Sequence, residues 1–85
     1  MLTGYNHPTI KRGNNLIALL NENGNTEMAT RVKDMMDSSL SVYESLMKQY
    51  PRPLQRTAEQ KKNLSEAFEA AITNIAEYLD NGRFV

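Results

Sequence analysis

The sequence predicts an all-α fold, a small three-helix bundle dominated by a long antiparallel helical hairpin with a shorter N-terminal helix. Three observations predict it. Apolar residues recur at three- and four-residue steps over most of the chain, the period of a helix with one buried face. Turn chemistry is concentrated between those segments, at NENGN (21–25) and PRP (51–53). Helix-start signals precede the segments, at Pro8 and in the stretch Thr57-Ala-Glu-Gln60. The 85 residues are expected to form one domain spanning 1–85, small enough that its core alone gives modest stability and oligomerisation would help.

The first helix is expected over about 8–22. Pro8 suits a first helical turn, Asn6 or His7 supplies a cap, and Ile10, Leu16, Ile17, Leu19 and Leu20 supply the apolar side chains. Gly13 weakens a helix interior by about 1 kcal/mol relative to alanine, so the first turn and a half is expected to be irregular. The second helix, about 26–49, starts at Asn25 or Thr26 and ends before PRP, because proline disfavours helical geometry in the residue preceding it. Its stripe is Val32, Met35, Met36, Ser39, Tyr43, Leu46, Met47 and Tyr50. The third helix, about 57–81, opens with a capping-box pattern and stops at Gly82. Its stripe is Leu64, Ala67, Phe68, Ala71, Ile72, Ile75, Tyr78 and Leu79.

Helix lengths then predict an exposed surface. At 1.5 Å per residue the second and third helices are each about 35 Å long and the first only about 20 Å. A short turn ties the first helix to the start of the second, so it runs back antiparallel and covers mainly that end. Tyr43, Leu46, Met47, Tyr50, Leu54, Leu64 and Phe68 fall toward the other end, and a patch of that size points to a homo-oligomer or a protein partner. Met28, Met35, Met36 and Met47 on the second helix suit either gap-filling in a small core or an adaptable interface.

Ten basic residues balance ten acidic ones, but the order of the helices separates them. Lys11, Arg12, Lys48, Arg52, Arg56, Lys61 and Lys62 are expected at one end with Glu44, Glu59 and Glu66, while Arg31, Lys33 and Arg83 share the other end with the remaining acids. Cations at helix N-termini oppose the macrodipole, and a bound anion, usually phosphate, is the physical reason for such an arrangement. Lys11, Arg12, Arg52, Arg56, Lys61 and Lys62 are therefore candidate ligands for a phosphate. Tyr5, Tyr43 and Tyr50 lie near enough to stack on nucleobases. Taken singly, each cation also fits a solvated loop or helix face.

Catalytic chemistry finds little support. His7 is the only histidine and reads as a cap, no cysteine is present, and histidine or cysteine metal-ligand spacing is missing, so no metal and no cofactor are expected. Glu66, Glu69, Glu77 and Asp80 fall mostly opposite the apolar stripe, on a solvated face. Glu27 with Arg31 and Glu44 with Lys48 read as surface ion pairs one helical turn apart. Glycine-rich phosphate-loop motifs are missing as well. The chain is expected to be non-enzymatic. It has no membrane-length apolar run and no signal-peptide pattern at its N-terminus, and a cytoplasmic location is expected.

The leader HPTIKRGNN, followed by a helical hairpin and a C-terminal GRFV, resembles the small phage proteins that sequester cyclic oligonucleotide signals of bacterial anti-phage immunity, the anti-CBASS and anti-Thoeris sponges. That family carries an HP-x-I-K-G-Y-R-like leader, matched here by His7, Pro8, Ile10 and Lys11. Arg12-Gly13-Asn14 stands where the family has Gly-Tyr-Arg, which leaves Tyr5 as the leader's only tyrosine. The resemblance implies non-catalytic sequestration of a cyclic oligonucleotide, with phosphates on Lys11, Arg12 and the cations of the hairpin end, bases on tyrosine, and oligomers packed through the apolar seam. The leader would then be a ligand-facing lip, with Pro8 and Gly13 shaping a turn that brings backbone N–H groups to phosphate. Two other readings stand beside it. One is a helical inhibitor or adaptor binding a host or defence protein through the Met- and Tyr-rich seam. The other is a nucleic-acid-binding regulator, against which the acidic continuation of the third helix counts.

Overall fold

The computed structural model describes residues 5–82. It consists of three helices, α1 (Pro8–Glu22), α2 (Thr26–Gln49) and α3 (Ala58–Asn81), with one 3₁₀ turn at Pro53–Gln55 between the last two. Among the described residues there is no strand, and the fold is an all-α three-helix bundle. Arg83 and the two residues after it in the GRFV stretch lie outside the described residues.

Each helix begins where a side chain can accept an otherwise unsatisfied N–H. His7 caps α1, its Nδ1 accepting from the Thr9 N–H at 3.1 Å. Asn25 caps α2, accepting from Met28 at 3.4 Å. Thr57 and Gln60 form the full capping box of α3, with Thr57 Oγ1 accepting from the Gln60 N–H at 3.1 Å and Gln60 Oε1 from the Thr57 N–H at 3.0 Å. Gly24 makes the tight α1–α2 turn at φ 77°, a conformation that costs glycine nothing and most other residues strain.

The buried side chains form one cluster: Ile10, Ile17 and Leu20 from α1, Ala29, Val32, Met36 and Leu40 from α2, and Ala71, Ile75 and Leu79 from α3. Three parts of the sequence reading change here. The α2 stripe is centred on Ala29, Val32, Met36 and Leu40; Ser39 lies at its edge, where it accepts a hydrogen bond from Asn74 at 2.6 Å. Leu19 is exposed, because α1 turns Ile17 and Leu20 inward instead. α1 is regular from Pro8 onward, and Gly13 is buried within it. A Cβ at Gly13 would stand 2.5 Å from Met36 Sδ, so the glycine permits a close helix approach and shapes no phosphate-binding turn.

The α1 helix has 15 residues and the other two have 24 each, so it is about 22 Å long beside a hairpin of about 36 Å. Tied to the start of α2, it reaches back only to the middle of the hairpin. Beyond that point the bundle has two layers instead of three, in a molecule measuring 46 × 21 × 18 Å. The continuous core stops at Leu40 on α2 and Ala71 on α3.

Candidate functional site

The boundary between the three-helix and two-helix halves is an aromatic cluster. Tyr5, just before α1, lies parallel to Phe68 of α3 with ring centres 6.2 Å apart and tilted against Tyr43 of α2 at 6.4 Å. Tyr43 and His7 each meet Phe68 edge-on, at 5.1 and 5.8 Å. Phe68 is thus the hub. The Tyr5 hydroxyl donates to Glu44 Oε1 at 2.9 Å, fastening the leader to α2. Burial first, and then this bond to a carboxylate, push the Tyr5 hydroxyl up to about 12, since both disfavour the phenolate.

Three open clefts surround the hub. The first, about 300 Å³, is lined by Tyr43, Arg56, Lys61, Leu64, Ser65 and Phe68. The second, about 440 Å³, lies on the far side of Phe68 and is lined by His7, Ser65, Phe68, Glu69, Ile72 and Thr73. The third, about 410 Å³, is lined by Tyr5, Tyr43, Glu44, Met47 and Lys48. These volumes match the low end of the range for small-molecule sites. The first two clefts share Ser65 and Phe68 and so adjoin along α3.

The electrostatics of the first cleft are specific. Arg56 Nε donates to the Pro51 carbonyl at 2.9 Å, which holds the guanidinium beside the cleft. Among the described residues, neither Arg56 nor Lys61 has a carboxylate within ion-pairing distance. Two cations thus flank an aromatic and aliphatic floor. The helix end itself is less available to an anion than the sequence suggested, because the capping box already occupies the Gln60 N–H. Side chains, not the α3 N-terminus, supply the positive charge.

The other candidate residues are spread apart. Arg12 does not join the basic end: it pairs with Asp80 near the C-terminus of α3 at 2.7 Å, because the short α1 starts at mid-hairpin and its side chain extends toward the acidic end. Lys11 and Arg52 are exposed and line none of the three clefts. Lys62 pairs with Glu66 at 3.8 Å on the outer face of α3. The expected Glu44–Lys48 pair is not formed; Glu44 takes the Tyr5 hydroxyl and Lys48 lines the third cleft. The Glu27–Arg31 pair is present at 2.9 Å.

Among the proposed interface residues, Leu64 is buried inside the chain and serves as cleft floor. Tyr43, Leu46, Tyr50 and Phe68 are half-buried, and Tyr50 accepts a hydrogen bond from Asn63 at 3.3 Å. Met47 is 39% exposed and Leu54, on the 3₁₀ turn, is 100% exposed. The sequence reading placed Tyr43 and Phe68 in the interface and Tyr43 also among the stacking tyrosines of the basic end; the structure brings both rings together with Arg56 and Lys61. The sequence reading missed His7, Ser65, Glu69 and Thr73 as cleft residues, although Lys61, Ser65, Glu69 and Thr73 recur every fourth residue on one face of α3.

Among the described residues, no group of three or more histidine, aspartate or glutamate side chains is placed to hold a metal ion. No described helix is long and apolar enough to cross a membrane. Comparison of the chain with protein-family models, curated proteins and solved structures found no match.

Proposed function

We propose that this chain is a non-catalytic binding protein that sequesters a phosphate-bearing ring ligand, and that the ligand is a cyclic oligonucleotide of the kind used as an immune signal. The observation that supports this reading is the first cleft, where the rings of Tyr43 and Phe68 lie beside two cations, Arg56 and Lys61, that have no carboxylate partner among the described residues. A ring stacked on an aromatic face contributes about 1–3 kcal/mol, and phosphate adds charge-assisted hydrogen bonds to guanidinium and ammonium. The leader resemblance through His7, Pro8, Ile10 and Lys11 points to the same ligand class. In this reading the leader acts indirectly: Tyr5 and His7 brace Phe68, and Arg56 and Lys61 hold the phosphate.

The test is a thermal-shift series with cyclic dinucleotides, cyclic trinucleotides, linear nucleotides and short duplex DNA, with native mass measured in parallel. A ligand at a hundredfold excess over its Kd stabilises by about 2.7 kcal/mol, several degrees for a domain of this size. A selective shift by a cyclic oligonucleotide that Lys61→Ala and Arg56→Ala abolish is the expected result. A second reading, protein docking or self-association at the two-layer end, is favoured by Leu54, whose side chain is wholly exposed. Under that reading no nucleotide shifts the melting temperature, and Leu54→Ser and Met47→Ser change the native mass or the capture of a protein target.

A further inference from the structure

The back of the hairpin, turned away from α1, is a second surface that the clefts do not use. The leader and α1 meet the front through Met36 and Glu44 on α2 and through Phe68 and Asp80 on α3. At about 3.6 residues per turn, Met35, Ser38, Val42, Ser45 and Leu46 then fall on the other side of α2, and Asn63, Ala67, Ala70, Asn74 and Tyr78 on the other side of α3. None of these side chains is charged, in a chain that is 24% charged. Depletion of charge around apolar side chains is what separates the centre of a protein interface from ordinary surface. Val42, in the middle of the face, is 62% exposed, with Met35 and Leu46 half-buried on either side of it.

The face is as long as the hairpin, about 36 Å, and two helices wide, about 20 Å, so a partner covering it buries about 700 Å² per side, close to the ~800 Å² per side of a standard interface. The occupant that fits is a second copy. Lys48, Arg52, Arg56 and Lys61 lie at one end of the hairpin, and Glu22, Glu27, Glu77 and Asp80 at the other. A two-fold axis across the helices sets each basic end on the partner's acidic end, whereas an axis along them sets like on like. Across that axis α2 faces the partner's α2, and α3 the partner's α3, both antiparallel. Asn74 Nδ2 donates to Ser39 Oγ at 2.6 Å, which places those two residues at one level of the hairpin. An axis passing beside Ser38, Ser39 and Asn74 overlaps the two hairpins almost fully. Met35 then faces the partner's Val42, and Ala70 faces the partner's Tyr78, each contact made twice.

We infer that the chain forms an antiparallel homodimer through the back of its hairpin, with Val42 and Tyr78 seated against the partner's Met35 and the partner's Ala70. The dimer goes beyond the ligand reading and does not depend on it, because the aromatic clefts stay open on the front.

Sedimentation velocity of the full chain without nucleotide tests this, alongside Val42→Lys, Leu54→Ser and two single-cysteine variants, the chain having no cysteine of its own. The expected result is twice the 9.7 kDa chain mass, falling to the monomer in Val42→Lys and unchanged in Leu54→Ser. Val42 is exposed and lies outside the core, so lysine there leaves the fold intact. Under mild oxidation Ser38→Cys, beside the axis, cross-links two copies, and Ser45→Cys, about 20 Å from its counterpart, does not. A monomer at every concentration overturns the inference. A dimer that Leu54→Ser breaks and Val42→Lys spares overturns it too, since that dimer belongs to the two-layer end. Cross-linking through Ser45→Cys in place of Ser38→Cys overturns the antiparallel pairing. None of these outcomes bears on nucleotide binding, which is read from the thermal shift.

Discussion

The two halves of the molecule are built from the same hairpin and differ in one layer. In the half covered by α1, the stripes of α2 and α3 meet a third helix, and Val32, Met36 and Ile75 reach 0% exposure. In the other half the same stripes continue as Tyr43, Met47, Leu64 and Phe68 with no third helix over them: Leu64 is buried within the hairpin, Tyr43 and Phe68 are half-buried against Tyr5, and Met47 is 39% exposed. The first half is a solution to burial. The second keeps half-buried rings at the surface beside cations that have no carboxylate partner among the described residues, an arrangement that costs stability and is useful for binding.

The largest contrast is expected from truncations. Leu40→Ala removes a fully buried side chain from the three-layer core and should cost about 3 kcal/mol, lowering the melting temperature by about 15 °C. Leu54→Ala, at a wholly exposed site, should stay within about 0.5 kcal/mol. Similar losses at both sites, measured by urea denaturation, would erase the distinction between the halves.

Tyr5 joins the halves, and Tyr5→Ala should cost about 1–2 kcal/mol through one lost hydrogen bond and two ring contacts. The same residue gives a pH signature. Its folded hydroxyl titrates at about 12, above the ordinary value of 10.0, so its contribution is complete below pH 10 and is lost as pH rises from 10 toward 12. Melting temperature should therefore fall over that range, and Tyr5→Phe should fall less steeply.

Gly13→Ala gains about 1 kcal/mol of helix propensity but drives a methyl into Met36, which has no exposed surface to retreat to. A net loss of about 1 kcal/mol is expected, reduced when Met36→Val is added to make room. Smallest of all, Arg56→Ala and Lys61→Ala should leave stability within about 0.5 kcal/mol while removing ligand-induced stabilisation.

The helices were legible in the sequence because their start signals are local. His7, Asn25 and the Thr57–Gln60 box can be read one turn at a time, and the length of α1 follows from Pro8 and the NENGN turn. The exposed two-layer end followed from those lengths. What the sequence did not reveal depends on rotation and reach. The α2 stripe was read correctly through Val32 and Met36 but then through Ser39 instead of Leu40, because both positions fit a three- and four-residue spacing. Arg12 was assigned to the basic end by chain order, yet a long side chain starting from mid-hairpin meets Asp80 instead. Gly13 signalled weakness by propensity and serves as a contact with Met36. Of the site, Arg56 and Lys61 were legible as charge, while Glu69 read as solvated surface until His7 and Phe68 were brought beside it.

The most direct test is residue-resolved: ¹H–¹⁵N chemical-shift mapping of the full chain on titration with cyclic di-GMP. Perturbations at Tyr43, Arg56, Lys61, Ser65 and Phe68, with Leu20, Ala29 and Leu79 unmoved, are the expected result. Perturbations centred on the acidic three-layer end, or none at saturating ligand, would contradict the assignment of binding to the half that α1 leaves open.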